Sequence, residues 1–280
     1  MKGTLYIVAT PIGHLGDITF RGVETLKSVG KIAAEDTRHT RQLLEHYGVS
    51  TPVVSCHEHN EQGRSTELAA LLEAGTSIAL VTDAGTPLIS DPGFRLVRAA
   101  VEAGIPVVPV PGPNAAIAAL SASGLPAEEF VFAGFLPAKH GQRLRALEAI
   151  VAEHRTVVYY EAPHRILDAL ADVEAVLGPG RPVVAARELT KVHEEFLRGP
   201  VADVRATLSG RGSVKGEFTL LIGPGQPGDA PRDSGTIANE VEALIAAGAP
   251  RMEAIKTVAR RHGLPKREVY QMAGAVHNEA

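Results

Sequence analysis

Residues 80–93 read Leu-Val-Thr-Asp-Ala-Gly-Thr-Pro-Leu-Ile-Ser-Asp-Pro-Gly, an apolar run that breaks into a turn holding two Asp, two Gly and two Pro. No Cys, His or Lys there offers a nucleophile or a metal ligand. Gly and Pro let main-chain N–H and C=O groups come close to a bound molecule. The stretch therefore suits a ligand that must be held and oriented rather than attacked by a side chain. Three more stretches share this character: VATPIGHLGDIT (8–19), VPVPGPNAAIAAL (108–120) and VVYYEAPHR (157–165). One such turn is a commonplace of loops; four in one chain point to a binding site.

Side-chain chemistry is sparser. His57 and His59 in CHEHN would share a face on a strand, but with no third spaced ligand they read as a solvated loop. Glu194 and Glu195 read as a surface turn. Groups near strand ends that could move a proton are Asp36 in AEDTR, Glu161 in YEAPHR, and Glu188 with Lys191 in RELTK. For each, a structural ion pair is the competing role. Arg165 and Arg187 suit the orientation of a phosphate or carboxylate. Neither G-x-G-x-x-G nor G-x-x-x-x-G-K-[ST] occurs, so neither nucleotide-binding fingerprint is present.

The elements that must position these residues alternate between short apolar runs and helical patterns. TLYIVAT, KIAAEDT, VVSCH, SIALVTDAG and VVPVPGP read as strands. Between them lie helices over ITFRGVETLKSVG (with Phe20, Val23, Leu26 and Val29 at helical spacing), RHTRQLLEHYG, RSTELAALLEAG and FRLVRAAVEAG. Such alternation predicts right-handed crossovers and a mostly parallel sheet. FVFAGFL, TVVYYEA, PVVAARELT and GEFTLLIG continue as strands, with helices over HGQRLRALEAIVAEH and ILDALADVEAVLG. The expected division is an α/β lobe over 1–122, a second over 123–225, a Gly/Pro/Asp linker over 226–235 and a helical tail over 236–280.

Composition narrows the class. The 280 residues are 45% hydrophobic and 21% charged, as in an ordinary globular protein. The net charge of -4 argues against a generally basic nucleic-acid coat. Cys56 is the only cysteine, which rules out an internal disulfide and a Cys-based zinc site and fits a reducing cytoplasm. Pro and Gly follow the N-terminus too early for a signal segment, and no apolar run is long enough to span a bilayer. Neither membrane nor metal is expected as a partner. RNA contact, if made, must come from local charge: Lys139, Arg143 and Arg145 at a loop-to-helix junction, and Arg260, Arg261, Lys266 and Arg267 in the tail. The tail's AIKTVARRHGLPKREVYQ resembles a helix-turn-helix with Gly263 at the bend.

The four turns, with AAEDTRHTRQLL, GFLP, RELTKVHEEFLRG and KGEFTLLI, occur in order across residues 4–222. Together they closely resemble the tetrapyrrole-methylase fold family and, within it, the branch acting on ribosomal RNA. Thr86 stands where corrinoid- and diphthine-directed relatives carry Asp. The resemblance implies a two-lobed class III methyltransferase fold with a short helical C-terminal extension, and a homodimer. It implies S-adenosylmethionine, bound folded between the lobes, and 2′-O-methylation of a cytidine ribose in the decoding region of 16S RNA in the small (30S) subunit. Carried over by position, Ile12, Asp83, Ala84, Gly85, Thr86, Pro87, Ile89, Ala115, Ala116, Ile117, Tyr160, Ala186 and Glu217 would meet the cofactor. Two rivals stand beside this reading: a tetrapyrrole methyltransferase, and a non-catalytic ribosome-assembly factor on the same fold.

Overall fold

The computed structural model describes residues 1–57, 60–225, 234–261 and 266–275. The chain divides into two compact units. The first holds Met1–Gly124, Ala186–Phe196 and Gly216–Thr219; the second holds Leu125–Ala185, Leu197–Lys215 and Leu220–Ala280.

The first unit contains strands β1 (Leu5–Val8), β2 (Lys31–Ala34), β3 (Val53–Ser55), β4 (Ile78–Val81) and β5 (Val107–Val110) in the spatial order β3-β2-β4-β1-β5. Every pairing is parallel, with Tyr6 opposite both Ala79 and Val108. Side chains alternate between the two faces. Ile32, Ala34, Ala79 and Val81 pack into one core cluster with Leu26 and Leu44, from helices α1 (Phe20–Ser28) and α2 (Thr37–His46). Ala33, Ile78 and Leu80 pack into the other with Leu68 and Leu96, from α3 (Glu61–Glu73) and α4 (Phe94–Glu102). Both faces are covered, so the strands read as near-continuous apolar runs. Parallel strands also put all their C-terminal ends on one edge. The turns after β2, β4, β1 and β5 thus stand side by side, where ligands of such sheets gather.

The helix expected over 18–30 forms, but Phe20 does not join its apolar stripe. It is 92% exposed at the first helical position, just after the capping Thr19. Helix α5 (Ala115–Ser123) begins on Asn114, whose side chain accepts from Ile117 N.

The second sheet runs β6-β7-β10-β8-β9, with β6 (Phe130–Phe135), β7 (Thr156–Glu161), β8 (Pro182–Arg187), β9 (Glu195–Pro200) and β10 (Phe218–Ile222). Helices α6 (His140–Glu148), α7 (Ile166–Leu177) and α8 (Val201–Ser209) accompany it. Neither β9 nor α8 is signalled by the sequence pattern, because FLRG has no clear alternation and Pro200 interrupts. Glu195, expected in a surface turn, opens β9, while Glu194 stays in the turn and accepts from Thr190 N. Residues 186–196 and 216–219 belong with the first unit rather than with one continuous second lobe. The physical reason is local: His14 N donates to Thr190 Oγ1, and Gly13 lies against the Thr190–Lys191 segment.

The tail forms α9 (Ser234–Ala246), α10 (Arg251–Arg261) and α11 (Lys266–Ala275), closed around Ile237, Val241, Ile255, Val258 and Val269. His59, residues 226–233 of the expected linker, the Gly263 bend and the Arg261 side chain lie outside the described residues.

Candidate functional site

Three adjacent strand ends converge on Gly85. Thr10, just past β1, forms an isolated antiparallel bridge with it: Thr10 N donates to Gly85 O at 2.9 Å, and Gly85 N to Thr10 O at 3.0 Å. Thr10 Oγ1 also donates to Thr82 O. From β5, Pro113 O accepts from Thr86 Oγ1 at 3.1 Å. Gly85 has φ +91°, and a Cβ there would sit 3.5 Å from Ile12 and 3.9 Å from Pro113 O. Glycine is needed here for its backbone angle, since a side chain would have room. Leu88 (φ 73°) and Ser90 (φ 69°) take the same left-handed region without glycine's freedom, so the turn stores strain.

What holds the strained turn is a clamp at its far end. Buried Glu61, on α3, accepts from Gly93 N at 3.0 Å and Arg95 N at 2.9 Å, capping α4 from another element. At the near end Asp83 Oδ1 accepts from Asp36 N, and Thr82 Oγ1 donates to Glu35 Oε2 at 2.7 Å. Asp91 completes this group. Burial pushes its carboxyl up to about 6, and Glu35 and Asp83 add repulsion, against the lowering influence of the neighbouring Thr82 hydroxyl. Asp91, Glu61 and Glu35 were not among the residues singled out from sequence. The signal for Asp91 was the second Asp of the same turn; Glu61 carried none.

Ile12, Asp83, Ala84, Gly85, Thr86, Pro87 and Ile89 are thus brought together with the start of α5, where Ala115, Ala116 and Ile117 follow the Asn114 cap. Ile89 and Ile117 keep exposed apolar side chains. Ala186 is fully buried in β8 and Glu217 is exposed just before β10. Tyr160, in the second unit, packs edge-on against Phe132 and Phe135, at 5.0 and 5.6 Å between ring centroids.

The acid–base candidates divide. Asp36 caps α2 through Arg38 N and chelates the Arg38 guanidinium, which holds its carboxyl down at about 2. Lys191 Nζ donates to Glu188 Oε1 and Glu217 Oε2, both at 2.9 Å. The Glu188 carboxyl is lowered by that bond; burial opposes the Lys191 charge, yet the two carboxylates raise its ammonium overall. This cluster is next to the first turn, because a Cβ on Gly13 would fall 2.5 Å from Lys191 Cγ. In the second unit, buried Glu161 pairs with Arg165 at 2.5 Å and accepts from Ala162 N. Among the described residues, neither Glu161 Oε2 nor Arg165 Nε, both buried, has a hydrogen-bond partner.

Among the expected phosphate-binding cations, Lys139 is exposed as the N-cap of α6, whereas Arg145 is exposed in that helix's last turn and not at the loop-to-helix junction. Arg143, on the same helix, is buried and donates to Asp172 Oδ2 at 2.6 Å, so it serves as an internal strut and not as a surface cation. Arg187 lies 3.5 Å from Glu195 and is largely covered. Arg260, Lys266 and Arg267 are exposed. Among the described residues no group of three His, Cys, Asp or Glu could hold a metal ion, and no helix is long and apolar enough to cross a membrane.

The family model for tetrapyrrole (corrin/porphyrin) methylases matches residues 4–205. Two curated relatives share half their residues with this chain. The protein named ribosomal RNA small subunit methyltransferase I from Synechocystis sp. is 50% identical over 97% of both chains. Its namesake from Escherichia coli O157:H7 is 50% identical over 97% of this chain and 95% of its own. Among solved structures, uroporphyrin-III C-methyltransferase from Thermus thermophilus, complexed with S-adenyl homocysteine, superposes with a TM-score of 0.55. It covers 79% of this chain and 97% of its own at 19% identity, a likeness of fold alone. With 97% of its length matched at this level, the chain belongs to the tetrapyrrole methylase family, in the branch of the small-subunit ribosomal RNA methyltransferases I.

Proposed function

We propose that this chain uses S-adenosylmethionine to methylate the 2′-hydroxyl of a cytidine ribose in the decoding region of 16S RNA, acting as a homodimer on the assembled small subunit. The observation that carries the reading is the convergence of three main-chain turns on Gly85, from adjacent strands, beside a set of carboxylates. These residues fit such a cofactor. Main-chain groups around Gly85 and Thr86 can hold its polar parts, and Ile12, Ile89 and Ile117 offer apolar surface. Asp83, Asp91 and Glu35 complement a cation. The half-identical relatives, named for the ribosomal reaction, support the acceptor.

When bound, S-adenosylmethionine supplies a methyl group already activated on a sulfonium, so the protein's task is alignment and proton removal. Alignment by preformed turns contributes up to roughly 7–11 kcal/mol to such a transfer. The ribose hydroxyl must also lose its proton, for which a base near neutral pKa serves best. Asp91 suits that role, with Glu161 as the second carboxylate. Asp36 and Glu188 are held too acidic, and Lys191 stays protonated as a cation between two carboxylates. Lys139, Arg145, Arg260, Lys266 and Arg267 supply exposed charge for phosphate. Arg261 adds to them in sequence.

The test is tritium transfer from labelled S-adenosylmethionine to undermethylated small subunits, followed by mapping of alkali-resistant dinucleotides. One labelled resistant dinucleotide containing cytidine is expected, because a 2′-O-methyl ribose cannot assist cleavage of its own phosphodiester. Label that alkali releases from every dinucleotide, or transfer only to a tetrapyrrole, would overturn the reading. Protein-free 16S RNA run in parallel should accept less label than assembled subunits.

A further inference from the structure

The tail carries one aromatic side chain that its own packing does not use. On α11, Val269 and Ala273 are buried in the three-helix core, which fixes the helix rotation. That rotation leaves the neighbouring Tyr270 ring 54% exposed. The Arg251 guanidinium, from the start of α10, lies over this ring at 6.0 Å from its centroid, in the range of a cation–π contact. Lys266 and Arg267, four and three residues before Tyr270, share its side of α11 and are exposed. Met252, beside Arg251 in sequence, is 51% exposed.

The sequence of this segment is one-sided in charge. Residues 251–275 hold six Lys or Arg against Glu253 and Glu268. Glu253 is itself outnumbered: its carboxyl is lowered first by the hydrogen bond from Lys256, and further by Arg260 and Lys266. An exposed ring with a guanidinium on it, edged by further cations, joins the two parts of a single-strand nucleic-acid platform. The flat surface stacks a base and the cations track its phosphates.

We propose that Tyr270 and Arg251 form a stacking platform for one unpaired base of the RNA acceptor, with Lys266 and Arg267 on the flanking phosphates. The proposal rests on the reading that the acceptor is RNA, and adds that the tail grips a single-stranded segment. A duplex offers no free base face to a surface ring. The chain's lack of Trp makes Tyr270, the one strongly exposed tyrosine among the described residues, the natural site.

The experiment uses the full-length protein with Y270A, Y270L, Y270F and R251A. Binding of a fluorescent single-stranded RNA 12-mer and of its duplex is measured by anisotropy. Tritium transfer to undermethylated small subunits gives KM and kcat. Y270A and Y270L are expected to weaken single-strand binding about tenfold and to raise KM with kcat unchanged. Y270F should stay within about twofold of the wild type, and R251A should fall between. Melting temperature and S-adenosylmethionine affinity should not move. Wild-type strength in Y270L, equal losses on duplex and single strand, or no wild-type binding to the 12-mer would each overturn the platform. If the 12-mer results hold but no subunit RNA is methylated, the platform stands and the proposed function falls. If subunits are methylated with KM indifferent to Tyr270, the function stands and the platform falls.

Discussion

The turn after β4 and the face of the tail, the two proposed binding surfaces, are built in different ways. The turn is made of backbone: Gly85 at positive φ, Thr10 and Pro113 as main-chain partners, and Glu61 and Thr86 as clamps. The tail face is made of side chains standing on helices. A backbone surface tolerates little change, since its shape depends on angles that most residues resist. A side-chain surface can lose one member and keep its scaffold. Substitutions in the two regions should therefore fail differently: in the turn, stability and cofactor binding fall together, and in the tail, acceptor affinity falls alone.

The largest expected effect is at the clamp. Glu61→Ala leaves two N–H groups at the start of α4 without their partner, and should lower stability by about 2–4 kcal/mol. Urea unfolding checks the stability, and calorimetry with S-adenosylmethionine should show binding weakened in the same variant. Next is Gly85→Val, which places a β-branched residue at φ +91° and should cost about 1–3 kcal/mol. Calorimetry should show at least about tenfold weaker cofactor binding, as each 1.4 kcal/mol is tenfold. Retention of wild-type affinity would mean the turn does not need its left-handed residue.

Asp91 gives a pH signature. Its carboxyl goes from the ordinary aspartate value of 3.8 up to about 6 on folding, so the folded state binds the proton more tightly. Its contribution to stability is complete below the unfolded value and is lost as pH rises through about 6. Asp91→Asn removes that loss. The variant should melt about 2–4 °C above wild type at pH 8, with the difference vanishing near pH 4. If Asp91 also takes the proton in catalysis, the same variant should lose methyl transfer while gaining stability. The smallest effect on the fold belongs to the tail. Lys266→Ala with Arg267→Ala should leave stability within about 0.5 kcal/mol. The double variant should reduce the salt dependence of RNA binding by roughly 1.4 units of log–log slope, two phosphate contacts' worth.

Much of the first unit was legible in advance. Its strands announce themselves as buried apolar runs, its helices by spacing, and the turns by clustered Gly and Pro, because these signals are local. Phe20 shows the limit: it keeps helical spacing with Val23, yet at the first position of α1 it is exposed. Arg143 shows another. Charge suggested a surface cation, but Asp172, 29 residues away, draws the guanidinium inside. Arg181 is buried in the same way, donating to the carbonyls of Gly223, Val151 and Glu153, which no spacing rule announces.

Sequence alone determined the alternating α/β class, the backbone character of the site and the family, since each is written in residue type and order along the chain. Tertiary structure decided which carboxylates stay free. Asp36 and Glu188 are silenced locally, by Arg38 and Lys191 two and three residues further on, whereas Asp91 is raised by burial, by Glu35 from the end of β2 and by Asp83 of its own turn. It also decided that Glu61 clamps the turn and that Tyr270 faces outward under Arg251. The acidity of Asp91, the Glu61 clamp and the setting of Tyr270 depend on neighbours distant in sequence, and only the packed chain brings those neighbours into place.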